Sequence, residues 1–169
     1  GPAMRLQFED VLTVRYQIQE VLRIGRTDDP ATIREEIDRY AHLVPDGSCW
    51  CATLMIEEPA TEARRRVLPL LHVAVPDIHL DLGGIHRVAV RANHDLPRKQ
   101  RERPAAVHFL RFDFGEQARS LLLAGSPVAI GCDHEHYRWR AKVPSETLGR
   151  LMRDISRNTN PATRRPDHY

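Results

Sequence analysis

Apolar residues recur at two periods along this chain, and the switches between them divide it into helices and strands. Val11, Val14, Ile18, Val21 and Leu22 form one stripe at helical spacing and predict a helix over Val11–Ile24. Thr13, Tyr16 and Glu20 lie on its opposite side, with Tyr16 and Glu20 four apart and therefore neighbours on a face that reads as solvated. Asp29-Pro30 supplies an N-cap followed by proline at the first helical position, and Ile33, Ile37, Tyr40 and Val44 continue as a second amphipathic helix. The short link between the two predicts an antiparallel helical hairpin. Over Cys49–Ile56 the period drops to two, with Trp50, Ala52, Leu54 and Ile56 on one face and Cys49, Cys51, Thr53 and Met55 on the other.

Pro59 opens a third helix, rich in Glu and Arg, which Pro69 limits; His72 follows its end, where an imidazolium suits the helix dipole. Gly83-Gly84 marks a two-residue hairpin turn between strands Ile78–Leu82 and Ile85–Val90. That turn sets Leu82 opposite Ile85, Asp81 opposite His86 and His79 opposite Val88. Arg91–Pro104 reads as a polar loop carrying Arg91, Arg98, Lys99, Arg101 and Arg103. Ala106–Phe114 is a strand with His108, Leu110, Phe112 and Phe114 on one face. A short helix over Glu116–Ala124 ends at Gly125, the usual left-handed cap, and strands Val128–Cys132 and Tyr137–Val143 follow. Ser145 caps a last helix with Leu148, Leu151, Met152 and Ile155 as its stripe.

Short links between successive strands favour antiparallel pairing, so the expected fold is α+β. It is a single domain over residues 5–156, with the N-terminal helical hairpin packed on a mainly antiparallel sheet and further short helices. The Asn-, Pro- and Arg-rich residues 157–169 are expected to be a disordered basic tail. The opening GPAM reads as a cleavage scar plus an initiator methionine and is set outside the fold.

Composition narrows the function classes. With 41% hydrophobic and 28% charged residues the chain reads as globular, and no apolar run reaches the ~18–20 residues of a membrane span. Three cysteines make no disulfide framework, and no signal peptide follows the scar, so a reducing, cytoplasmic setting is expected. The net charge is only +2, and the basic clusters lack interleaved aromatics, which argues against nucleic acid. Neither a Walker loop nor G-x-G-x-x-G is present, so nucleotide binding is disfavoured.

Candidate chemistry concentrates in Val128–Trp139, VAIGCDHEHYRW. His134 and His136, two apart, point to the same side of an extended segment, and Cys132, Asp133, Glu135 and Tyr137 add S and O donors. Two imidazoles and a carboxylate suit a non-haem iron site or haem, with zinc or copper as further choices, once His108 or His72 completes the ligand set. Metal-free acid–base chemistry by Asp133–His134 is the competing chemistry. A polar turn without chemistry is the plain one. Cys49 and Cys51 share a strand face and read as structural thiols.

Phe8-Glu9-Asp10, then Thr13-Val14-Arg15-Tyr16-Gln17-Ile18-Gln19-Glu20, Leu110-Arg111-Phe112, and Gly131 with Asp133-His134 and Tyr137 resemble the bacterial domain of unknown function 3501 family. The resemblance runs from about Phe8 to Ile155. Its members usually carry a longer N-terminal segment, and a proline where this chain has Glu135. Genes of the family tend to accompany rubrerythrin-like and iron–sulfur oxidoreductase proteins, so the resemblance implies a redox or iron-linked role. Tyr16, Gln17, Glu20, Asp133, His134 and Tyr137 are the matching positions.

Together these readings lead to a metal- or haem-dependent redox protein with its site at the Asp133–Tyr137 turn. His134, His136, His108 and His72 would be its ligands, and Tyr16, Glu20, Asp133 and Tyr137 its proton-handling groups. This requires the first helix to roof the turn. The alternative is a non-catalytic adaptor for an iron–sulfur or rubrerythrin-type partner, contacted through the Arg91–Arg103 loop and the basic tail. A homodimer is compatible with either.

Overall fold

In the computed structural model, which describes residues 3–92 and 104–157, the chain is α+β with two antiparallel four-stranded sheets. The first sheet has the order β1 (Met4–Phe8), β2 (Cys49–Ile56), β6 (Val107–Asp113), β5 (Arg91–Ala92). The second has the order β4 (His86–Ala89), β3 (Ile78–Leu82), β7 (Val128–His134), β8 (Tyr137–Lys142). Its helices are α1 (Val11–Gly25), α2 (Pro30–Ala41), α3 (Thr61–Ala74), α4 (Glu116–Leu123) and α5 (Ser145–Arg157).

The sheets are continuous along one side only. β4 leads through Val90, whose N–H donates to Ile78 O at 3.2 Å, directly into β5 of the other sheet. On the opposite side β1 and β8 are the edge strands among the described residues. Between the sheets lies the core: Trp50, Leu110 and Phe112 of the first meet Leu80, Leu82 and Val128 of the second. Ala118 and Leu122 of α4 and Leu151 and Ile155 of α5 complete it. Trp50 packs edge-on against Phe8 and Phe114, and its indole N–H donates to Leu151 O at 3.3 Å.

The predicted helical hairpin is present, and it covers the outer face of the first sheet. Asp10 caps α1 by accepting from the Leu12 and Thr13 amides. The buried carboxylate of Glu9 accepts from Thr13 Oγ1 at 2.5 Å and from Thr53 Oγ1, on the outer row of β2, at 2.6 Å. Those two hydroxyls tie α1 to the sheet and satisfy a group that would be costly to bury alone. Further along, the Cys51 thiol donates to His42 O just past α2, and His42 stacks edge-on to Phe109.

Several expectations are corrected. Met4, set aside with the opening segment, begins β1 and pairs with Ile56. Pro69 lies inside α3; the helix tolerates the missing amide because Leu71 and Ala74 beyond it are buried in the protein. The hairpin register slips by one residue, since Gly83, Gly84 and Ile85 all belong to the turn and the Ile85 amide closes on Leu82 O. Both glycines have positive φ, 63° and 72°. Asp81 therefore faces Arg87 instead of His86, and His79 faces Ala89. Arg91 and Ala92, assigned to a loop, form β5; residues 93–103 and 158–169, and with them Arg98, Arg101 and the basic tail, lie outside the described residues.

His108 is buried on the inner row of β6, with Nε2 donating to Ala105 O at 2.9 Å and the His72 ring 5.2 Å away, centre to centre. Burial depresses its pKa below the ordinary 6.5, with the nearby His72 acting in the same direction against the Ala105 hydrogen bond. The unfolded chain then takes up a proton more readily than the folded one. Stability from neutral His108 is present above pH 6.5 and is lost as pH falls through the lower folded value. Urea titrations across this window should show a smaller acid-side loss for His108→Gln than for the wild type; identical pH slopes would contradict it.

Candidate functional site

Strand alternation places a polar array on the outer face of the second sheet. In register, Asp81 faces Arg87, His79 faces Gly131, Gly131 faces Arg140, Asp133 faces Arg138 and Ala129 faces Lys142. Two ion pairs cross this face. Arg87 Nη1 donates to Asp133 Oδ2 at 2.6 Å, and Arg140 Nη1 lies 3.0 Å from Asp81 Oδ2. Asp81 is buried, and its other oxygen accepts the Gly84 amide at 2.6 Å, so the hairpin turn and the face share one carboxylate. The Arg87 guanidinium holds the Asp133 carboxyl below its ordinary pKa.

At one end the face deepens into a cleft of about 490 Å³ lined by Asp77, His79, Arg87, Asp133, His134, Glu135 and Arg138. His79 is its buried member. Its Nδ1 donates to Asp77 O at 3.1 Å, while Nε2 is buried without a hydrogen-bond partner. The ring lies against the β7 backbone: a Cβ on Gly131 would stand 2.7 Å from His79 Nε2. Only glycine permits that approach. His134 is held differently. Its Nδ1 accepts the His136 amide at 3.2 Å, which puts the ring proton of the neutral form on Nε2, 3.9 Å from Asp77 Oδ2.

The predicted site residues divide among four places. Asp133 and His134 line the cleft, and His136 is exposed beside it, its ring centre 5.1 Å from that of His134. His72 and His108 form the separate pair at β6 and are not among the cleft's lining residues. Tyr137 lines an apolar cavity of about 340 Å³ between the sheets, with Met4, Leu6, Phe8 and Trp139; burial raises its pKa, and its hydroxyl is buried without a partner. Tyr16 is 64% exposed on α1, and Glu20 is bound to Arg23 at 2.7 Å, which lowers the Glu20 pKa. α1 does not roof the turn, because Glu9 and Thr53 fix it to the far side of the first sheet. Asp77, His79 and Arg87 were not singled out as site residues. Their signal was the polar alternation His79, Asp81 within an otherwise apolar strand, opposite a glycine.

The donors in the cleft, imidazole and carboxylate, are of the type iron and zinc accept. In this arrangement they do not fit a metal. Among the described residues no three His, Cys, Asp or Glu side chains stand together as a ligand set. Asp133 is committed to Arg87, and Nδ1 of His134 to its own turn.

β8 is the exposed part of this sheet. Of its six residues only Tyr137 is partly covered; Arg138, Trp139, Arg140, Ala141 and Lys142 are all exposed. Cations alternate with Trp139 and Ala141, so the outer row is basic and the inner row apolar.

The family described as protein of unknown function (DUF3501) matches residues 1–155. A crystal structure of a novel protein of unknown function from Burkholderia pseudomallei is similar at 40% identity and a TM-score of 0.86, over 90% of this chain and 80% of that one. No curated protein matches the chain. No helix among the described residues is long and apolar enough to cross a membrane.

Gly131→Ala should destabilise the protein by about 1–3 kcal/mol, because the new methyl drives His79 off its seat. In a His79→Ala background the same substitution should cost little, a coupling that urea unfolding of the four variants measures. Equal costs in both backgrounds would place the clash elsewhere.

Proposed function

The chain belongs to the DUF3501 family, which supplies no activity to carry over, and we propose from its own residues that it is a non-catalytic adaptor for an acidic protein partner. The observation that carries this reading is the exposed cationic row of β8 beside Arg87. Asp133 and Asp81 neutralise Arg87 and Arg140, and the row still offers Arg138 and Lys142 to solvent. Charge arranged this way steers an acidic surface and fixes its register more than it adds raw affinity. The partner class implied by the family resemblance is an iron–sulfur or rubrerythrin-type protein, in the cytoplasm. We place the docking surface on the second sheet; the Arg91–Arg103 loop and the basic tail lie almost wholly outside the described residues.

A purified bacterial rubrerythrin and a purified ferredoxin are the probes. Binding should weaken as salt rises, and Arg138→Glu with Lys142→Glu should weaken it by about tenfold or more. Binding indifferent to both would remove the reading.

A second reading, a metal-dependent redox protein, is favoured by one observation. His79 keeps Nδ1–H on a carbonyl and leaves Nε2 without a partner, the posture of a ligating imidazole. It requires Asp133 to leave Arg87 and the His79 ring to swing off Gly131, against which Nε2 is now seated. Elemental analysis of protein purified without oxygen should then give stoichiometric iron that His79→Ala loses; metal-free protein that also refuses iron, zinc, copper and haem ends it.

A further inference from the structure

We infer that β8 takes the partner as an added strand, and that the segment it takes alternates apolar with acidic residues. This rests on the adaptor reading and specifies its geometry. Among the described residues β8 is the last strand of its sheet, so no described strand pairs with one row of its backbone N–H and C=O groups. Its residues 138–142 are exposed, in keeping with an edge that no described segment covers.

The two faces of β8 state what the incoming strand must carry. On the outer face stand Arg138, Arg140 and Lys142; Asp81 already binds Arg140, so Arg138 and Lys142 call for carboxylates on the same face of the incoming strand. On the inner face stand Tyr137, Trp139 and Ala141, which line the apolar cavity of about 340 Å³ running to the β1 edge. Apolar side chains of an added strand would enter that space beside Leu6 and Phe8. Trp139, 49% exposed, would be covered. Strand addition uses these two elements together: main-chain hydrogen bonds for affinity and alternate side chains for selection.

A second copy of this chain fits poorly. The twofold pairing of β8 with itself that uses its exposed residues 138–142 is centred on Arg140 and sets Arg138 against Lys142 and Arg140 against its own copy, and like charges directly opposite are destabilising. Charge thus selects a foreign acidic strand over self-association.

The test uses a short labelled peptide of alternating valine and glutamate, followed by anisotropy and by tryptophan emission. The chain has two tryptophans, and Trp50 is fully buried, so a blue shift on binding reports Trp139. The expected result is saturable binding with that shift. Trp139→Phe should abolish the shift while anisotropy still reports binding. A valine–lysine peptide should bind at least about tenfold more weakly. Methylating the peptide nitrogens that face β8 should remove binding, because it deletes the ladder while keeping every side chain. Methylated peptide that binds equally well would overturn strand addition and leave electrostatic docking standing. Arg138→Glu with Lys142→Glu binding as the wild type does would overturn both. A dimer in sedimentation that must dissociate before peptide binds would give the edge to a second copy and overturn the assignment.

Discussion

Two sheets joined along one side only are the constraint from which the rest follows. Because the chain crosses from β4 through Val90 into β5, that side is closed by covalent continuity, with the Val90 amide still bonded to β3. Among the described residues nothing equivalent joins β1 to β8. The core residues hold the sheets face to face, but the seam between those edges keeps an apolar cavity open and leaves β8 with no described strand beyond it. Natural sheets usually blunt such an edge with charge. Here the blunting is one-sided, with cations on the outer row and Trp139 on the inner, and this asymmetry turns a guarded edge into a selective one.

The outer face of the second sheet has its own internal logic. His79 lies across β7 because Gly131 has no side chain, and Asp77 then serves two imidazoles, its carbonyl anchoring His79 and its carboxylate facing His134. Asp81 ties the glycine turn to Arg140. These contacts set the spacing of the cations on β8 relative to the turn. They also bind most of the carboxylates that a metal would need, which is why a density of donor residues in sequence does not become a ligand set in space.

Periodicity made much of the fold legible. The stripes of α1, α2 and α5 and the alternation of β2 and β6 are long enough to be read locally, and both sheets are antiparallel as short connections require. The failures share a physical cause: each depends on a partner far along the chain. Met4 becomes a strand residue only because β2 offers an edge, and Pro69 stays helical only because the residues after it are buried. One extra turn residue at Ile85 moved every cross-strand pair, including Asp81 with His86. The amphipathic stripe of α1 says that one side is buried, not which sheet face receives it; that choice rests on Glu9 reaching Thr13 and Thr53. Four histidines assigned to one ligand set separate into two pairs, His72 with His108 and His134 with His136.

Hydrogen–deuterium exchange of the protein alone and bound to purified rubrerythrin tests the central claim most directly. The account predicts new protection concentrated in Tyr137–Lys142, with β4, the other edge of the same sheet, unchanged. Protection that instead falls on α1 or on residues 91–103, leaving β8 exchanging as in the free protein, would contradict it.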